Sequence, residues 1–166
     1  MTGERKPIEV SRRIEAPAAL IFEILANPQR HMDFDGSDMV RGAVFNRPIS
    51  GVGDTFTMKM NRLGREYLMI NYVVEFEPDR RIFWEPARGD LATAGGDPSK
   101  VGIPAGYRWG YILTPDDGDA TVVTEVFHYG PISELLREGG EWINGTNSVL
   151  ESMTASLQRL RKISTE

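Results

Sequence analysis

Between Ser37 and Tyr129 the chain has no helical period anywhere. Six segments of strand length fill the interval instead: Asp38 to Phe45, Asp54 to Asn61, Glu66 to Glu77, Arg80 to Arg88, Tyr107 to Thr114 and Ala120 to Tyr129. Arg62-Leu63-Gly64, Pro78-Asp79 and Pro115-Asp116-Asp117-Gly118 put Gly, Pro and Asp where a reversing chain needs them. Connectors this short favour antiparallel neighbours, so the interval reads as a meander. A seventh strand precedes it. From Pro7 to Glu15 the residues Ile8, Val10, Arg12 and Ile14 alternate with Glu9, Ser11 and Arg13. Ala16-Pro17 breaks that strand, and Ala18 to Ala26 sets Ile21, Phe22 and Leu25 on one helical stripe before Asn27-Pro28 stops it. A second short helical turn follows through His31.

The period changes again at the end. Ile143, Thr146, Leu150, Met153, Leu157 and Leu160 recur at spacings of three and four, which predicts one helix from about Glu141 to Ile163. At 1.5 Å per residue it runs roughly 35 Å, the length of a ten-residue strand at about 3.3 Å per residue. It can cross the sheet from end to end. Arg159, Arg161 and Lys162 fall in its last turns, where cations oppose the helix dipole, and are read as stabilising. The fold class is therefore α+β: a seven-stranded antiparallel sheet, two short helices after the first strand, and a long C-terminal helix.

With 166 residues, 40% of them apolar and 17 Gly, the chain fits one globular domain over residues 1–166. The absence of Cys removes thiol nucleophiles, thiolate metal sites and disulfides from its chemistry. A net charge of -5 argues against a nucleic-acid partner. No stretch approaches the roughly 20 apolar residues of a membrane span, and Met1 to Pro7 lacks a secretory apolar segment. The expectation is a cytoplasmic protein.

The opening IEVSRRIEAPAALIFEILANPQR, Ile8 to Arg30, resembles that of the START-like superfamily of polyketide cyclases/dehydrases and lipid-transport proteins, the SRPBCC proteins. The run Val74 to Trp84, the segment Tyr111-Ile112-Leu113-Thr114-Pro115 and the closing Ser156-Leu157-Gln158-Arg159-Leu160 extend the resemblance over nearly the whole chain. It implies a helix-grip, Bet v 1-like fold: a curved sheet wrapped around the long helix, with an apolar cavity between them and a mouth bounded by loops. Volume is consistent with this. One long and two short helices supply limited side-chain bulk to fill the concave face of seven strands, and either large side chains or a ligand must complete it.

Candidate lining residues follow from strand alternation. Phe56, Met58 and Met60 share one face of their strand, and Met adapts to varied hydrophobic guests. Tyr107, Trp109, Tyr111 and Leu113 share a face of theirs. On the strand Glu66 to Glu77, the apolar set Leu68, Ile70, Tyr72, Val74 and Phe76 is expected to face the helix, and Trp84 to face inward from the next strand. Leu150 and Met153 complete the set from the C-terminal helix. Each of these can equally be plain core.

The last strand carries the candidate for chemistry. With Val123 and Phe127 inward, as the resemblance implies, Glu125 goes inward with them, because alternation moves side chains as a set. Burial would raise its pKa and fit it for proton transfer or for anchoring a ligand hydroxyl. The other register puts His128 inside. Pairing with Arg108 or a cap from Tyr72 would make a buried Glu125 structural.

Two connections stand out: Pro86 to Gly106, 21 residues rich in Gly, Ala and Pro and a candidate lid, and Asn46 to Asp54. The acidic run His31 to Asp38 fails as a calcium loop, since Asp38 and Val44 stand where Gly and Glu are needed. His31 and His128 lack ligand-spaced partners for zinc, Gly51 and Gly53 are too short for a dinucleotide fingerprint, and there is no Gly-x-Ser-x-Gly elbow. No cofactor or metal is expected. The function expected is binding of a small hydrophobic molecule, such as a lipid, polyketide or isoprenoid-like compound. The alternatives are a cyclase/aromatase or dehydratase-type enzyme using Glu125, and a protein-interaction domain with a filled core.

Overall fold

A computed structural model describes residues 7–104, 106–129, 143–144 and 147–166. Strand β1 (Ile8–Ile14) leads to α1 (Ala18–Leu25) and, through a tight helical turn at Pro28–Arg30, to the single-turn α2 (His31–Phe34). Then come β2 (Val40–Ala43), β3 (Thr55–Arg62), β4 (Arg65–Glu77), β5 (Arg81–Arg88), β6 (Arg108–Asp116) and β7 (Ala120–His128). A two-residue ribbon, β8 (Ile143–Asn144) with β9 (Asn147–Ser148), precedes α3 (Val149–Ser164). The sheet order is β1-β7-β6-β5-β4-β3-β2 and every pair is antiparallel.

Turn chemistry sets the registers. At the β3–β4 hairpin Leu63 and Gly64 both have positive φ (53° and 85°), the twist that a two-residue hairpin requires. Asn61 Oδ1 accepts the Gly64 N–H at 3.0 Å, and the pairing Arg62↔Arg65 runs without slippage to Thr55↔Tyr72. On the concave side, Ile14, Ile21, Leu25, Val73, Ile82, Leu113, Val123, Leu157 and Leu160 form the main core. Phe127, Tyr129, Val149 and Met153 form a second, smaller one.

Two expectations are corrected. The C-terminal helix begins at Val149, not near Glu141: Ile143–Asn144 and Asn147–Ser148 pair as strands, and Glu141, Trp142, Gly145 and Thr146 lie outside the described residues. Ile143 and Asn144 are paired with Ser148 and Asn147, which overrides the helical spacing that Ile143 begins. The helix is thus 16 residues long, roughly 24 Å.

The second correction concerns β4, which does not present Leu68, Ile70 and Tyr72 to the helix. Its register with β5 shifts between Val73 and Glu75. This bulge switches which alternate residues face inward: Tyr67, Met69, Asn71 and Val73 up to it, Phe76 beyond it. Tyr72 points outward, and its hydroxyl donates to the Gly102 carbonyl at 2.6 Å, tying down the segment after β5. That segment is held at both ends. Asp90 accepts from the backbone N–H of Leu68 and of Thr93, and Gly102 N–H returns to the Arg88 carbonyl. Tyr72→Phe is expected to cost about 1 kcal/mol and to speed amide exchange and proteolysis in 89–104, leaving exchange in β6 and β7 unchanged.

Candidate functional site

Where the main core ends, the concave face encloses a cavity of about 880 Å³. Each wall comes from a different element. Strand β3 supplies Phe56, Met58 and Met60; β4 supplies Tyr67, Met69 and Asn71; β5 gives Trp84; β6 gives Trp109 and Tyr111, with Tyr107 just before it; β7 gives Glu125. Helix α2 contributes His31 and Phe34, and α3 contributes Ser152, Met153 and Ser156. Arg62, Leu63 and Arg65 of the β3–β4 hairpin, with Arg88 at the end of β5 and Ala92 and Thr93 after it, line its other end, and Leu63 there is 76% exposed.

Seven of the candidate ligand-binding residues, Phe56, Met58, Met60, Trp84, Trp109, Tyr111 and Met153, line this space. Three do not. Tyr72 lies on the opposite face because of the β4 bulge. Phe127 is wholly buried behind the wall, stacked on Trp109 at 4.1 Å between ring centroids. Leu150 is 55% exposed: with Met153, Leu157 and Leu160 facing in, Val149 at i−4 from Met153 takes the buried position, and Leu150 at i−3 is left outside.

The aromatic lining interlocks. His31 stacks on Trp84 at 5.3 Å and meets Phe34 and Phe56 with tilted and edge-on rings, while Trp84 also contacts Tyr111 at 6.1 Å. His31 Nε2 is 2.7 Å from the Leu25 carbonyl. A carbonyl can only accept, so Nε2 carries the hydrogen and Nδ1 is the ring's acceptor. Burial pulls the imidazole pKa down to about 4, against smaller upward effects of the Leu25 bond and of Asp35. It is neutral at pH 7.

Glu125 faces the cavity and His128 is exposed on the other side of β7. The carboxyl is 5% exposed. Burial pushes its pKa well above the usual carboxylate range and Asp35 adds to the rise, while a hydrogen bond from the Tyr111 hydroxyl opposes it. Tyr111, its partner across the β6–β7 pair, is itself pushed up by burial and by this carboxyl. Neither inert pairing considered for Glu125 is present: Arg108 pairs with Glu85 at 2.9 Å and Glu75 at 3.8 Å, and Tyr72 is committed to Gly102. Among the described residues, Glu125 Oε2 and Ser152 Oγ are buried without a hydrogen-bond partner. Each such atom costs about 1–3 kcal/mol.

The sequence reading missed His31 as a wall, the β4 residues Tyr67, Met69 and Asn71, and the α3 serines. The serines had a legible signal: Ser152 and Ser156, four apart, directly precede the stripe residues Met153 and Leu157. The acidic run that failed as a calcium loop has a packing role. Asp35 accepts from Ser37 N–H, Ser37 Oγ and Val40 N–H, and Gly36 N–H donates to Ser156 Oγ at 2.8 Å. Arg159 bonds the Asp35 carbonyl and reaches Asp38 Oδ1 at 3.1 Å. Among the described residues no group of three acidic, His or Cys side chains could hold a metal ion, and no helix is long and apolar enough to cross a membrane.

No family model matches the sequence. An uncharacterized protein of Mycobacterium tuberculosis is 33% identical over 125 residues, 74% of this chain and 48% of the relative, and its counterpart in a second strain is 32% identical over the same length. The chain spans about half the length of these curated relatives. Among solved structures, a protein of Mycobacterium smegmatis superposes with a TM-score of 0.64 at 16% identity, covering 96% of this chain and 90% of that one. A Staphylococcus epidermidis protein gives 0.66 at 16%, covering 99% and 94%. A major latex-like protein of Panax ginseng gives 0.65 at 11%, covering 99% and 100%. The seven-stranded curled sheet, the short helices after its first strand and the C-terminal helix are the helix-grip, Bet v 1-like fold.

Proposed function

We propose that this chain binds a small hydrophobic molecule in the cavity between the sheet and α3. One observation carries the reading: about 880 Å³ of space whose walls include seven Phe, Trp or Tyr side chains and five methionines, within the few hundred to 1,000 Å³ usual for small-molecule sites. Unfilled apolar volume weakens a fold, so a cavity of this size fits a protein that receives a guest better than a filled-core interaction domain. The methionines on β3 and β4 allow the walls to adapt to guests of different shape.

Native mass spectrometry of the purified protein tests for a guest directly, by comparing the intact mass before and after denaturation. Titration with Nile red supplies an affinity. Saturable one-to-one binding is expected. Met58→Trp, which intrudes on the cavity, and Trp109→Ala, which enlarges it, should each change the dissociation constant by roughly tenfold, about 1.4 kcal/mol, with the far-ultraviolet circular dichroism unchanged. Unaltered binding by both variants would sink the proposed site.

A second reading, an enzyme of cyclase/aromatase or dehydratase type, is favoured by the buried Glu125–Tyr111 pair, a carboxyl whose raised pKa suits a proton donor. If it holds, Glu125→Gln abolishes turnover and leaves binding within a few-fold.

A further inference from the structure

The inner end of the cavity is chemically unlike its walls. One step further along the same two strands, Leu113 and Val123 belong to the filled core, so Tyr111 and Glu125 form the floor. At this floor the carboxyl presents Oε2, and the α3 wall of the same cavity presents Ser152 Oγ, both buried and both without a partner among the described residues. Native interiors satisfy the large majority of such atoms. Two orphans facing one cavity point to a group that the guest supplies.

We propose that the cavity recognises a neutral oxygen, a carbonyl or a hydroxyl, carried by an otherwise apolar molecule, and that Glu125 Oε2 and Ser152 Oγ are the groups that hold it. This rests on the reading of the cavity as a hydrophobic binding site. Neutrality follows from the surroundings. The lining arginines, Arg62, Arg65 and Arg88, belong to the hairpin and to the end of β5, away from the floor. His31 has its one N–H committed to Leu25. Asp35 lines the same cavity, and its negative field opposes an anionic guest. Burial favours the protonated carboxyl, whose O–H suits a carbonyl or hydroxyl oxygen. An ammonium would instead require the carboxyl to ionise in a buried site.

Calorimetric titration with four probes of one skeleton tests this: 2-ethylnaphthalene, 2-acetylnaphthalene, 2-naphthoate and 1-(2-naphthyl)ethylamine. The first two differ in a single carbonyl oxygen. 2-Acetylnaphthalene is expected to bind about tenfold tighter than 2-ethylnaphthalene, the preference that one buried hydrogen bond gives. Glu125→Leu should bring that preference below about threefold, and Ser152→Ala should reduce it several-fold, both leaving 2-ethylnaphthalene affinity near the original. Glu125→Gln keeps a donor and should keep the preference. Equal binding of the two neutral probes by the unaltered protein overturns the inference and leaves the hydrophobic-site reading intact. So does equal loss of both probes in the variants, or tightest binding of the naphthoate or the amine. Binding of none of the four overturns both readings.

Discussion

Gly36→Ala lowers the melting temperature by roughly 10 °C and abolishes binding in the cavity, whereas Gly51→Ala leaves both nearly unchanged. A Cβ at position 36 would sit 2.1 Å from the Ser152 carbonyl oxygen and 2.6 Å from the Ser156 nitrogen. These are backbone atoms of α3, so no rotamer change relieves the contact, and α3 must move off the loop after α2. Such overpacking costs on the order of 3 kcal/mol, and a domain of this size loses about 2–4 °C per kcal/mol. The displacement also breaks the bond from Gly36 N–H to Ser156 Oγ and shifts Ser152, Met153 and Ser156, which form one cavity wall. Gly51 has open space around its Cβ position. Calorimetry with Nile red titration checks the pair; a Gly36→Ala protein that melts with the original would refute the seating of α3 on this loop.

The strands were legible because each needs only its own alternation and the turn residues beside it. Thr55–Arg62, Arg81–Arg88 and Ala120–His128 lie within a residue of where the sequence puts them. Faces were legible only while alternation ran unbroken. Along β3, β6 and β7 it does, so Phe56, Met58, Trp109, Tyr111 and Glu125 are read correctly as inward. Along β4 the bulge at Val73–Glu75 interrupts it, and nothing in the residues marks the place, because both faces are largely apolar. The outward side is covered too: the segment after β5 packs over Leu68 and Tyr72. Long-range contacts were illegible for the same reason that Gly36 was. Its partners are 116 and 120 residues away on α3, at Ser152 and Ser156, and no local pattern encodes that separation.

Two buried groups acting in opposite senses should make the stability of this protein change less between pH 4.5 and 6.5 than either would alone. His31 titrates near 4 in the folded state against 6.5 when exposed. The unfolded chain therefore binds more protons between those values, and stability rises with pH across that window by on the order of 3 kcal/mol. Glu125 is raised well above 4.5, so the folded chain binds more protons above pH 4.5. Stability falls from there up to its folded pKa, by at most about 1.4 kcal/mol per pH unit. Asp35 acts on both groups in the same direction, and Tyr111 bonds only the carboxyl. The exposed His128, lowered by desolvation and by Arg108, adds a smaller slope of the His31 sign. Urea unfolding midpoints from pH 4.5 to 9 separate the terms. Glu125→Gln should rise to pH 6.5 and then stay level, while His31→Gln should fall from pH 4.5 onward. A Glu125→Gln profile that parallels the original would mean that the carboxyl is ionised throughout, and a charged floor could not present the O–H that a neutral carbonyl guest requires.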